Sequence, residues 1–235
     1  DGRLPEQEGR RVALMIGVEA YDNAIPELDT PVNDTRAVGE KLAETQDFEV
    51  RRLENPTKQE ILDSLLALSQ ELRVEDTLMV YYAGHGYQMP ETGRGYWLPR
   101  DAGTDSPEQW LSNRDVARLF HRTPAKQIML VSDSCYSGAF TQAQSFDGAA
   151  ADETRRLRAV MAMSSGGEQP VWDGGAGNNS IFAAKLLESI QPGQLVGQPL
   201  YYNVREKVTA AAPQVPGYGA MVVAGNDSGA DFMLR

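Results

Sequence analysis

The chain has 235 residues, 41% of them hydrophobic, 23% charged and 8% aromatic, the balance of a globular protein rather than a disordered, collagenous or disulfide-stapled one. Its 33 acidic against 22 basic residues give a net charge of −11, a field that repels polyanions and argues against nucleic acid or an anionic membrane as the main partner. No apolar run approaches the roughly 18–20 residues that cross a bilayer, and the single cysteine, Cys135, excludes a disulfide within the chain and suits a reducing compartment or a working thiol.

Val12 to Gly17 is a continuous apolar run ending in glycine, as expected of a strand buried on both faces. A turn-rich stretch follows, and then Asn33 to Thr45 reads as a helix, with Val38 and Leu42 four apart and Asn33 or Asp34 offered as its N-cap. Phe48 to Leu53 alternates as a second strand, and Thr57-Lys58-Gln59-Glu60 is a capping box opening a helix through Leu72. Thr77 to Tyr82 and Gln127 to Val131 are two further buried strands, with a short helix from Ser112 to Phe120 between them. A fifth strand over Arg158 to Met163, helices over Ser180 to Ile190 and Tyr201 to Ala212, and a last strand over Ala220 to Val223 complete the order. Alternation of this kind predicts an α/β fold, a largely parallel sheet covered by helices on both faces. Residues 1–235 are read as one domain with an exposed, mobile loop at about 142–156.

Ligands of open parallel sheets bind outside the carboxyl ends of the strands. Two strands end there in reactive residues. The third runs into Ala83-Gly84-His85-Gly86, whose glycines permit a sharp turn and close approach to a substrate. The fourth runs into Ser132-Asp133-Ser134-Cys135. If these strands are neighbours, His85 serves as base for the Cys135 thiol and as acid for a leaving amine, a nucleophilic dyad. A lone cysteine is more often a buried small hydrophobe, but the polar and small neighbours of Cys135 are poor core material. His121, at the end of a helix, reads as a surface or capping histidine.

The runs Tyr81-Tyr82-Ala83-Gly84-His85-Gly86 and Val131-Ser132-Asp133-Ser134-Cys135-Tyr136-Ser137-Gly138 resemble the caspase and metacaspase clan of cysteine peptidases, its bacterial, orthocaspase-type members above all. His85 stands about 50 residues ahead of Cys135, the spacing of the caspase signature. Supporting similarities in Val12 to Gly17, Pro31 to Asp34 and Gly229 to Phe232 spread the resemblance over nearly the whole chain. It implies a six-stranded, mainly parallel caspase-like sheet with helices on both faces, and peptide-bond hydrolysis through a thioester. The oxyanion donors are expected to be the backbone N–H groups of Cys135 and Gly86, each typically worth about 10²–10³ in rate.

Caspases that cut after aspartate carry glutamine two residues before the nucleophile. Here that position is Asp133, which repels an aspartate substrate and attracts arginine or lysine. Asp34 matches a second acidic pocket residue of metacaspases, or simply caps its helix. The run from Ser164 to Asp173 resembles the loop that lines caspase pockets, with Ser164 and Trp172 at the substrate. Asp173 stands where caspases place an arginine, or is merely solvated. Cleavage after a basic residue is expected, Arg preferred over Lys for its bidentate fit to carboxylate.

Arg155, Arg156 and Arg158 lie in the connection where many members of the clan cut themselves, so self-cleavage is one reading and a solvated, edge-protecting cluster the other. Many metacaspases use calcium, which wants six to eight oxygen ligands. Asp101 matches one ligand, but Ser112-Asn113 stand at the expected acidic pair and Gln142 beyond the cysteine, so no cofactor is required and calcium (Ca2+) independence is expected. Partners are protein or peptide substrates with basic residues. A monomer is favoured, since metacaspases tend to stay single where caspases pair through an edge strand. A cytoplasmic location is expected, with a targeting segment ahead of Asp1 left open. The alternatives are a catalytically silent scaffold and a Cys-His enzyme acting on other amides.

Overall fold

The computed structural model describes residues 9–134, 157–166, 177–193 and 195–234. Six strands form one sheet in the order β2-β1-β3-β7-β8-β9, with β1 at Arg11–Gly17, β2 at Glu49–Glu54, β3 at Thr77–Ala83, β7 at Gln127–Asp133, β8 at Ala159–Ser164 and β9 at Gly217–Ala220. All pairings are parallel except β8 with β9. β1, β3, β7 and β8 are buried almost throughout, which is why they read as unbroken apolar runs rather than as alternation. The edge strand β2 reads Glu-Val-Arg-Arg-Leu-Glu, and its charges protect an edge that would otherwise template pairing.

The helices divide between the faces. Helix α1 (Pro31–Gln46) joins α4 (Ile181–Ser189) and α5 (Gly197–Ala211) on one face, packing Val38, Leu42, Phe182, Leu186 and Val204 on Met15, Met79, Met129 and Met161. Helices α2 (Lys58–Glu71) and α3 (Asn113–Arg122) cover the other, with Ile61, Leu65, Val116 and Phe120 on Leu14, Val80, Leu130 and Val160. Alternate residues of each central strand serve alternate layers, as the pleat requires.

The capping box of α2 forms as read: Thr57 Oγ1 accepts from Glu60 N–H and Glu60 Oε2 from Thr57 N–H. Helix α1 starts earlier than expected. Thr30 is its N-cap and Pro31 its first residue, a place where proline's missing N–H costs nothing, so Asp34 is released from capping.

Two further corrections concern strands. The last strand is Gly217–Ala220, and the apolar residues after it turn into a 3-10 helix at Val222–Ala224 ended by left-handed Gly225. Met221 and Ala224 enter the core while Val222 and Val223 stay 47% and 66% exposed; a short apolar run does not by itself say whether it is strand. A second, antiparallel sheet of β4 (Gly86–Gln88), β5 (Gly95–Trp97) and β6 (Leu111–Ser112) was not expected, its strands being too short to show a period. His121 lies exposed in the last turn of α3. The expected loop at about 142–156 lies outside the described residues, and no described helix is long and apolar enough to cross a membrane.

Candidate active site

β3 and β7 are direct neighbours, with Ala83 opposite Asp133. Their carboxyl ends therefore release the His85 segment and the Ser134 segment side by side, the adjacency on which the dyad reading depends. Cys135 itself lies outside the described residues, as do Trp172, Asp173, Arg155 and Arg156.

His85 is held from three directions. Its N–H donates to Tyr21 Oη at 2.9 Å, its carbonyl accepts from Tyr82 Oη at 2.8 Å and from Leu98 N–H at 3.0 Å, and its ring tilts against the Tyr21 ring at 5.1 Å. Imidazole Nε2 lies 2.8 Å from the Pro26 carbonyl. A carbonyl can only accept, so Nε2 carries the proton and Nδ1 is left as the basic nitrogen. The loop that delivers Pro26 is pinned by Asn55 Oδ1, which accepts from Glu19 and Ala20 N–H, and by Asp22 paired with Arg100 at 2.7 Å. This backbone orienter was invisible in the sequence, because a carbonyl belongs to every residue.

Gly84 brings the backbone close to its surroundings. A Cβ there would stand 2.7 Å from Tyr82 Oη and 3.1 Å from the Val18 carbonyl. The Tyr82 ring cannot give way, being fully buried and stacked on Trp97 at 4.2 Å and 7°. Gly84→Ala is expected to cost about 1–3 kcal/mol of stability and to lower peptide turnover through the displaced His85 carbonyl, measured by thermal denaturation and peptide hydrolysis.

Gly86 opens β4 opposite Trp97. The bonds Leu98 N–H to His85 O and Met89 N–H to Arg94 O set the odd-numbered residues of β4 as the hydrogen-bonded pairs. By antiparallel alternation Gly86 falls at a non-bonded position, and its N–H points away from β5. That leaves it available as an oxyanion donor.

Trp97 links the two segments. Besides stacking on Tyr82, its Nε1–H donates to Ser132 Oγ at 3.2 Å, and Ser132 Oγ lies 3.1 Å from Ser134 Oγ. The small sheet therefore braces both the histidine turn and the residue preceding Cys135.

Behind this lies a pair of acids. Asp133, 8% exposed, accepts from Ser180 Oγ at 2.6 Å and more loosely from Tyr81 Oη at 3.4 Å. Asp34, 1% exposed, accepts from Asn179 Nδ2 at 2.8 Å and Ser180 N–H at 3.1 Å. Ser180 thus caps α4 through Ala183 N–H and joins the two acids. Burial and then the charge of Asp34 raise Asp133 to about 6, eased by its hydrogen bonds. Burial likewise raises Asp34. Among the described residues neither acid has a cationic partner in an ion pair.

Ser164, expected at the substrate, is 1% exposed and its Oγ accepts from Gly217 N–H at 3.2 Å. It ties β8 to β9. The next hydroxyl, Ser165, approaches Asp133 closely enough to lower its pKa without forming a well-aligned hydrogen bond. Arg158 donates to the carbonyls of Phe120, Thr123 and Ala125 at 2.6–2.9 Å, closing the end of α3; a cut after Arg158 would require that cap to release. The calcium expectation meets residues already engaged: Asp101 Oδ1 accepts from Lys58 N–H and Ser112 Oγ caps α3, while Gln142 lies outside the described residues. Among the described residues Asp101 and Ser112 do not by themselves supply the six to eight oxygens of a calcium shell.

The sequence profile of the caspase domain matches residues 10–224. The chain belongs to the caspase-domain family of peptidases. This caspase-domain chain is 32% identical over 143 residues to metacaspase-6 of Arabidopsis thaliana and 31% identical over 153 residues to metacaspase-1 of Candida albicans. Those alignments take in 54% and 56% of this chain but 38% and 34% of the relatives, so the match spans little more than a third of their length. The fold is shared with caspase-1 of Spodoptera frugiperda, at a TM-score of 0.68 and 16% identity over 91% of this chain and 87% of that one. It is also shared with a protein of Geobacter sulfurreducens, at 0.65 and 18% over 95% and 99%.

Proposed function

We propose that the chain is a cysteine endopeptidase that cleaves after basic residues, arginine before lysine, by a His85–Cys135 dyad. The observation that carries this reading is the pair of buried carboxylates, Asp133 and Asp34, set at the sheet end where the nucleophile strand finishes and, among the described residues, lacking any cation in an ion pair. Two acids this close raise each other's energy in the charged form. A guanidinium arriving with a substrate relieves that repulsion, whereas an aspartate side chain adds to it. Asp133, at the end of β7 and two residues before Cys135, makes the direct contact. Asp34 acts from beneath, through its field and by holding Ser180.

The chemistry follows from the orientation of His85. Its Nδ1 takes the thiol proton, the thiolate of Cys135 attacks the scissile carbonyl, and the Gly86 and Cys135 N–H groups receive the oxyanion. The imidazolium returns its proton to the leaving amine, and water, deprotonated by the same nitrogen, hydrolyses the thioester. Proteins and peptides with basic residues are the substrates, a monomer is sufficient, and Arg155 and Arg156 are the self-cleavage candidates.

Matched fluorogenic peptides ending in Arg, Lys or Asp test the reading with wild type and Cys135→Ala. Cysteine-dependent cleavage in the order Arg, Lys and no Asp is expected. Cleavage after Asp would overturn the acidic pocket, and no thiol-dependent cleavage at all would leave the scaffold. Adding calcium or a chelator to the same assay is expected to change the arginine rate less than twofold, and an absolute calcium requirement would overturn the reading of Asp101 and Ser112.

A further inference from the structure

A groove of about 790 Å³, lined by none of His85, Asp34 and Asp133, opens between the small antiparallel sheet, the start of α3 and the 3-10 turn after β9. That volume lies within the roughly 300–1,000 Å³ of ligand sites. Its composition departs from the rest of the molecule. In a chain of net charge −11, Lys58, Arg94, Arg114 and Arg118 converge on it against Glu108 and Asp115. Arg118 is shared with Asp115 at 3.5 Å, and Lys58 Nζ donates to the Glu108 carbonyl. No ion pair forms at Arg94 or Arg114 among the described residues.

The floor and one wall are apolar. Trp110 is buried, with Tyr96 edge-on to it at 5.6 Å. Val222 and Val223, the residues that leave the expected last strand, line the groove while remaining largely exposed. Two adjacent exposed valines beside an aromatic floor and a cationic rim form an amphipathic surface, the pattern of an interaction site rather than of scattered surface residues.

We propose that this groove is an exosite that docks an acidic peptide segment carrying aliphatic or aromatic side chains, presented by a protein substrate or partner. The cations select its carboxylates and the valines with Trp110 take its apolar side chains. A small inorganic anion would leave the valines uncovered. A second copy of the chain brings its own net charge of −11 and the same cationic rim. Nucleic acid would meet Glu108 and Asp115 as well as the overall negative field.

The test uses the Cys135→Ala protein, so binding is read without turnover and a failure of the peptidase reading does not touch it. A fluorescein-labelled peptide alternating Glu with Leu and Phe is titrated by fluorescence polarisation, beside the same peptide with Lys for Glu. Saturable binding of the acidic peptide alone is expected, weakened roughly tenfold by Arg114→Glu with Arg118→Glu, and weakened by salt as the Debye length shortens from about 10 Å at 0.1 M to about 3 Å at 1 M. Val222→Ser with Val223→Ser, which alters only exposed side chains, is expected to weaken it comparably while leaving the salt dependence in place. In the active enzyme both double variants keep their rate on short arginine peptides. No saturable binding, equal binding of the Lys peptide, or affinity unchanged in both double variants would overturn the proposal. Complete displacement by millimolar inorganic phosphate would make this an anion site, and a dimer abolished by the valine variant would make it a self-interface; either also overturns it.

Discussion

Asp133→Asn is expected to lose kcat/KM for arginine peptides by about 10²–10³-fold, the cost of removing one partner of a desolvated charge pair, and at the same time to melt at a higher temperature than wild type. The two effects have one cause. Burial and Asp34 raise the Asp133 carboxyl to about 6 in the folded protein, against about 3.9 in the unfolded chain. Below pH 4 both states hold the proton and the site costs nothing. As pH rises through 4 to 6 the unfolded chain gives up its proton first, and above 6 the folded state bears the whole penalty, about 2 pKa units or on the order of 3 kcal/mol. The amide keeps an oxygen for Ser180 and sheds the charge. The gap in melting temperature between Asp133→Asn and wild type is therefore expected at pH 8 and absent by pH 4. Arginine kcat/KM of wild type is expected to fall as pH drops through about 6, because a protonated Asp133 would no longer attract the guanidinium. Alkylation of Cys135 by iodoacetamide in the variant shows that the loss is in the pocket and not in the thiol. A variant with full arginine activity, or one less stable than wild type at pH 8, would sink the assignment.

His85→Ala is expected to lower kcat by about 10²–10⁴-fold, the usual worth of a positioned general base, with KM little changed because the acid pair still binds the substrate. Without the imidazole the thiol must ionise unaided, so the residual rate climbs with pH through about 8.5, the value of an ordinary cysteine. A residual rate flat in pH would point to a base other than His85, and unchanged kcat would exclude the dyad. Tyr21, Tyr82 and the Pro26 carbonyl, all within 3 Å of His85 atoms, are expected to act as positioning groups, with their effect in kcat rather than in KM.

Much of this was legible along the chain. Strands buried on both faces write themselves as apolar runs, and Val12 to Gly17, Thr77 to Tyr82 and Gln127 to Val131 all lie in the central sheet. Thr57 with Glu60 is a local device, satisfied within one helical turn, so it reads directly. Glycines beside His85, and an acid two residues before Cys135, are likewise local patterns.

Contacts between distant segments were not legible. Asp34 looks like a helix cap when only its neighbours are known, but Pro31 starts α1 three residues earlier, and Asp34 meets Asn179 and Ser180 from across the chain. Ser164 and Ser165 are indistinguishable as letters; pairing with β9 occupies the first and turns the second toward Asp133. Val222 and Val223 have the propensity of strand, but the chain turns after Met221, which the core captures.

Composition, apolar period and local motifs determined the fold class, the strand ends that lead into His85 and Cys135, and the acid two residues before Cys135, because each depends on residues within a turn or two of one another. The tertiary structure alone decided which nitrogen of His85 is basic, why Asp133 titrates near 6 and where a cationic, valine-rimmed groove opens on an acidic protein. Those depend on a carbonyl, a carboxylate and two valines brought together across the fold, and on the exclusion of water that lets their charges act.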